Sequence, residues 1–150
     1  MKKLLIYCSF TGSGEKVAKE FESHNFEVRK VEEKHKMSKS FFFAVLGGGF
    51  RASLSLKGKL INYNNDVSSY EEIVIGSPIW NDRFPPITNA ILSQTDLKDK
   101  KLTFVLYSGS GEGKHALKKI QKNYPHAQVI FLKEPKKYPE ELKKLEPLFK

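Results

Sequence analysis

Three short stretches of the 150-residue chain hold residue types whose spacing could do chemistry. Residues 9–14 read SFTGSG, residues 76–86 read GSPIWNDRFPP, and residues 108–113 read SGSGEG. In the first, Ser9, Thr11 and Ser13 supply hydroxyls around Phe10, while Gly12 and Gly14 permit a tight turn. A helix that starts there adds unpaired backbone N–H groups and a partial positive charge, the combination that binds phosphate without any lysine. The same residues also fit a plain helix start, capped by Thr11 or Ser13 with Glu15 in the first turn. The first loop alone does not separate the two.

The second stretch carries Trp80, the single tryptophan, in a loop after Pro78 and Ile79 rather than inside an apolar element. An indole so placed can offer a flat face to a ligand ring, or can simply cover the end of a sheet. Asn81 and Asp82 tolerate left-handed backbone, so their N–H and C=O groups can turn toward a ring edge. The third stretch, Ser108, Gly109, Ser110 and Gly111, is almost bare backbone. It allows close approach to a planar heterocycle, or it is a flexible turn. A phosphate cradle, a stacking indole and a backbone-lined slot together fit a flat ring joined to a phosphate, as in flavin mononucleotide (FMN).

Other phosphate motifs fail on spacing. A Walker A loop needs four residues between its glycines and a final Ser or Thr. GSGEGKH has three residues between Gly109 and Gly113, and His115 in the last place. G-x-G-x-x-G fails because residue 17 is Val, and a C-x5-R phosphatase loop from Cys8 fails because residue 14 is Gly. One cysteine and four histidines exclude an intramolecular disulfide and argue against structural zinc.

The elements that must position these loops follow from hydrophobic pattern. Strands are expected at 3–8, 26–31, 73–76, 102–107 and 129–132. Helices are expected at 13–23, 85–92, 113–123 and 139–149. Their alternation predicts an α/β fold, a doubly wound parallel sheet in a three-layer α/β/α sandwich. With five strands in the order 2-1-3-4-5, the three loops leave strands 1, 3 and 4 at one end, where such sheets bind ligands. Residues 41–51, FFFAVLGGGFR, read as a turn-rich helix packed on the sheet or as a lid over the ligand.

The length suits one domain, residues 1–150, and 39% hydrophobic with 29% charged residues is ordinary for a soluble protein. No apolar run is long enough for a signal peptide or a membrane span, so the chain reads as cytoplasmic. Net charge is +9, carried by 23 lysines and only Arg29, Arg51 and Arg83. Lysine is poorer than arginine at planar base reading, and no nucleic-acid motif accompanies the charge. The basic surface is either a solvated face or a docking face for an acidic partner.

On these loops the sequence resembles the flavodoxin family over nearly the whole chain. Residues 9–14 resemble its phosphate loop, S/T-x-T-G-x-T, residues 76–86 its G-x-P-x-W stacking loop, and residues 107–113 its third flavin loop. The resemblance implies a flavodoxin-like fold, noncovalent FMN and electron transfer between redox proteins, with the flavin as the only redox centre; the favoured reading is a monomeric carrier, with an FMN-dependent enzyme left open. It implies that Ser9, Thr11, Gly12 and Ser13 hold phosphate, Trp80 stacks on the isoalloxazine, and Ser108 to Gly111 approach its pyrimidine side.

Three departures stand out. Gly14 replaces the usual hydroxyl residue. The third loop has no aromatic to cover the second ring face, a place Tyr107 or Phe50 could fill. The charge is basic where the family is mostly acidic, and a nearby Asp82 carboxylate would lower the flavin potential by repulsion. The rival readings are an FMN-dependent NAD(P)H or quinone-type reductase, a flavin-free phosphocysteine carrier using Cys8, and a protein-interaction scaffold.

Overall fold

A computed structural model describes residues 2–33 and 59–150 of the chain. The segment expected at 41–51, Phe50 and Arg51 included, lies outside the described residues.

The sheet is built from β1 (Lys3–Tyr7), β2 (Glu27–Lys30), β3 (Glu72–Pro78), β4 (Lys101–Ser108) and β5 (Gln128–Lys133). All four pairings are parallel and the order is β2-β1-β3-β4-β5. β1, β3 and β4 are buried on both faces, which explains their continuous apolar runs. β2 and β5 are the edges and are partly exposed.

Alternate side chains divide the core into two layers. Leu4, Ile6, Ile73, Ile75, Phe104 and Leu106 face one side, where they meet Ile87 and Ile91 of α2 (Pro86–Gln94) and Ala116 and Ile120 of α3 (Lys114–Asn123). Leu5, Tyr7, Val74, Val105 and Tyr107 face the other, against Val17, Ala18 and Phe21 of α1 (Ser13–Glu22). The result is the expected three-layer sandwich.

The C-terminal segment departs from expectation. Pro139–Phe149 runs as 3₁₀ turns rather than as an α-helix. Leu142, Leu145 and Leu148 recur every third residue, the period at which 3₁₀ side chains align on one face. Leu145 and Leu148 are buried in the second layer, and Leu142 packs against it. Pro147 inside the segment removes a donor that a regular helix would use.

Register places the site. Tyr7 pairs with Gly76, Gly76 with Val105, and Pro78 with Tyr107. Backbone pairing continues past the strands, from Cys8 N–H to Gly76 C=O at 3.1 Å and from Ile79 N–H to Tyr107 C=O at 3.0 Å. The loops after β1, β3 and β4 therefore leave one end of the sheet side by side.

Candidate functional site

The three loops enclose a cleft of about 330 Å³, a size that suits a small ligand. Phe10, Thr11 and Ser13 line it from the first loop, Pro78, Ile79 and Trp80 from the second, and Ser108 and Gly109 from the third. Tyr107 and Glu134 complete the wall. Ser9, Gly12, Gly14, Asn81, Asp82, Ser110 and Gly111 do not line it; Ser110 Oγ accepts from Glu112 N–H at 3.3 Å, and the others shape the loops as described below.

In the first loop Gly12, at φ +95°, is the cap of α1, and no side chain caps the helix. The alternative of a side-chain cap by Thr11 or Ser13 is thus replaced by a left-handed glycine, and both residues line the cleft. Among the described residues, the N–H groups of Thr11, Gly12 and Ser13 donate to nothing. Ser9 Oγ is turned the other way and accepts from Gly14 N–H at 3.1 Å.

Gly14 has a steric reason to lack a side chain. A Cβ there would lie 2.5 Å from Ser9 Cβ and 2.8 Å from Tyr107 Oη. Two hydroxyls already occupy the place where a residue-14 hydroxyl would stand. Tyr107 donates from beneath the loop to Cys8 C=O, and its phenol is 4% exposed. Burial raises its pKa well above the ordinary tyrosine value, so it stays a donor. Tyr107 is therefore a prop under the first loop and not a free cover for a ring face.

Glu15, in the first turn of α1, pairs with Lys30 at 2.8 Å. Burial would raise its carboxyl, but Lys30 and the Ser9 hydroxyl outweigh burial and hold it below the usual range. Its charge is thus engaged beside the loop.

The second loop turns sharply. Trp80 and Arg83 exchange two backbone hydrogen bonds, each 2.9 Å, around Asn81 at φ 47° and Asp82 at φ 70°. A two-residue turn with both centres left-handed explains Asn and Asp at these places. The Asp82 carboxylate accepts from Lys114 N–H at 2.6 Å and His115 N–H at 3.2 Å, so it caps α3. The expected repulsion of a bound ring by Asp82 is corrected accordingly, because the carboxylate faces a helix start instead of the cleft. Trp80 is 2% exposed, and the Phe10 ring, 39% exposed, packs on it with centroids 4.5 Å apart.

The third loop closes on itself. Ser108 Oγ donates to Glu112 C=O at 2.9 Å and accepts from Glu112 N–H at 3.0 Å. Gly111, at φ 75°, packs against Lys133.

A fourth contributor escaped sequence reading. After β5 the chain turns through Glu134, at φ 36°, whose N–H extends the sheet to Ser108 C=O at 3.0 Å. Glu134 lines the cleft beside Gly109, and the next residues reach the first loop. The only sequence signal was KEPKKY directly after a strand, which matches no motif.

The chemistry available is anion binding and ring binding. Cys8 is 1% exposed, bonds to Thr88 Oγ1 at 3.3 Å, and is pushed by burial to a pKa of about 12. A thiol so buried and protonated is poorly placed to act as a nucleophile, which counts against a phosphocysteine carrier. Among the described residues no cluster of His, Cys, Asp or Glu could hold a metal, and no helix is long and apolar enough to cross a membrane.

Comparison with known proteins agrees with this geometry. A search of curated proteins finds no match. A candidate flavoprotein from Bacteroides uniformis superposes with a TM-score of 0.72 at 24% identity, over 85% of this chain and 86% of that one. A candidate flavoprotein from Bacteroides eggerthii gives 0.74 at 19% identity, over 97% and 96%. A flavoprotein from Lactobacillus acidophilus, solved in complex with FMN, gives 0.60 at 18% identity, over 93% and 97%. At these identities the likeness is one of fold. Residues 50–144, which include the second and third loops, match the flavodoxin family model, and the chain therefore belongs to the flavodoxin family.

Proposed function

We propose that the protein binds FMN noncovalently in this cleft and carries electrons between redox proteins. The observation that carries the reading is the convergence of Thr11, Ser13 and the uncapped start of α1 with Trp80 and the bare Ser108–Gly109 backbone around one cleft. The residues fit the cofactor. Free N–H groups and two hydroxyls suit a phosphate, and aromatic and apolar walls suit a ring system.

FMN, when bound, supplies reversible one- and two-electron chemistry. The protein's part is to orient and shield it. Thr11 and Ser13 donate to the phosphate, with the N–H groups of residues 11–13. Trp80, Phe10 and Ile79 exclude water from the ring, and Ser108 and Gly109 let backbone approach its polar edge. Among the described lining residues the titratable side chains are Tyr107, held as a donor to Cys8 C=O, and Glu134. The +9 net charge suits partners with acidic docking faces.

The test is NAD(P)H oxidation by the FMN-loaded protein. A carrier shows background turnover alone and turnover only when a separate flavoprotein reductase is added. Rapid turnover by the protein alone would establish the reductase reading instead.

A further inference from the structure

Lys136 lies where simple electrostatics would not place a cation. Its side chain crosses the cap of α1. A Cβ on Gly12 would lie 3.0 Å from Lys136 Cδ and 3.2 Å from its Nζ. A helix N-terminus carries about half a positive charge, so a lysine there is repelled rather than held. Among the described residues Lys136 makes no ion pair that would offset this.

The position is nonetheless imposed by the backbone. Glu134 N–H bonds to Ser108 C=O at 3.0 Å, and Glu134 C=O accepts from Lys137 N–H at 2.8 Å and Tyr138 N–H at 2.9 Å. Pro135 is buried between them. This tight turn after β5 aims residue 136 back across the end of the sheet. Gly12 makes room twice over, since its left-handed φ and the lysine stem above it both disfavour a side chain.

Two positive features thus meet beside the Thr11 and Ser13 hydroxyls and the unpaired N–H groups of the first loop. An anion bound there would relieve the repulsion and engage both. We propose that Lys136 is the counter-charge for the phosphate of the bound flavin, and so the residue by which this chain prefers a phosphorylated flavin to its unphosphorylated form. The assignment rests on the FMN reading above and adds a specificity residue to it. A phosphate monoester carries nearly two charges at pH 7, with a second pKa of about 6, so the contact weakens in mild acid.

The experiment is a pair of fluorescence titrations of the apoprotein, with FMN and with riboflavin, for wild type, Lys136→Gln and Lys136→Arg. The expected result is an FMN affinity about tenfold weaker in Lys136→Gln. Riboflavin affinity stays within twofold of wild type, and Lys136→Arg recovers most of the loss. FMN binding by wild type weakens with added salt and below about pH 6, and Lys136→Gln flattens both dependences. Equal losses for FMN and riboflavin would overturn the assignment, as would an unchanged FMN affinity in Lys136→Gln, while leaving the FMN reading in place. Failure of wild type to bind either flavin would overturn both. Circular dichroism of each variant shows that the fold is retained, as an exposed side chain allows.

Discussion

The Phe10 ring rests on the Trp80 indole, centroids 4.5 Å apart and planes inclined by 51°, and so joins the first loop to the second. With Trp80 2% exposed, no ring can stack on it until neighbouring side chains move, and among the described residues Phe10, 39% exposed, is one of them. Trp80 is the only tryptophan, so its fluorescence reports on this part of the cleft. In the apoprotein, acrylamide should quench wild type weakly and Phe10→Ala severalfold more strongly. The variant should lose about 1 kcal/mol of stability. Equal quenching in both would mean that Phe10 does not cover the indole.

Gly14 should resist every side chain. Alanine in place of a helix glycine ordinarily stabilises by roughly 0.5–1 kcal/mol. Here the new Cβ meets Ser9 Cβ at 2.5 Å and Tyr107 Oη at 2.8 Å, within a buried loop. Gly14→Ala is therefore expected to destabilise by about 2 kcal/mol in urea unfolding, and Gly14→Thr by more.

Asp82 and Asn81 should separate a cap from a backbone effect. Asp82→Ala removes the carboxylate that accepts from Lys114 and His115 N–H, and should cost about 1–2 kcal/mol. Asp82→Asn, which tolerates the same left-handed backbone, should cost less. At Asn81, φ 47°, glycine should be tolerated, whereas alanine should cost about 1 kcal/mol. Thermal midpoints of the four variants check this.

Much of this architecture was legible in the chain. The buried runs 73–76 and 102–107 marked central strands, and turn residues after three strand ends marked the loops. What was not legible depended on contacts distant in sequence. Nothing near Gly14 announces that Tyr107 fills its side-chain place, 93 positions away. Asp82 looked like a charge near a ring because its partners, the N–H groups of α3, belong to another loop. Lys136 was one lysine among 23 until the turn after β5 was seen to aim it at Gly12. The 3₁₀ segment was readable in principle, since Leu142, Leu145 and Leu148 repeat every three residues, but a helical period of 3.6 absorbs the same pattern over so short a length.

Cys8 gives a prediction in pH. Its thiol is raised by burial from 9.0 to about 12, so in the unfolded chain it ionises first. Below pH 9 both states hold the proton and there is no effect. Between about pH 9 and 12 only the unfolded state has released it, and stability falls as pH rises. The full loss is on the order of 4 kcal/mol. Cys8→Ser, which keeps a partner for Thr88 but does not titrate, should lose less stability over that range. A disulfide reagent should label native Cys8 only as fast as the protein opens.

If the cleft between the three loops holds FMN, the flavin stays with the protein when free flavin is removed. The measurement that tests it most directly is the visible absorption spectrum of the protein after mixing with FMN and desalting, read beside the Trp80 emission. Expected are flavin bands retained at about one per chain, quenched flavin fluorescence and quenched Trp80 emission. A colourless protein with unchanged Trp80 emission at micromolar concentration would contradict it.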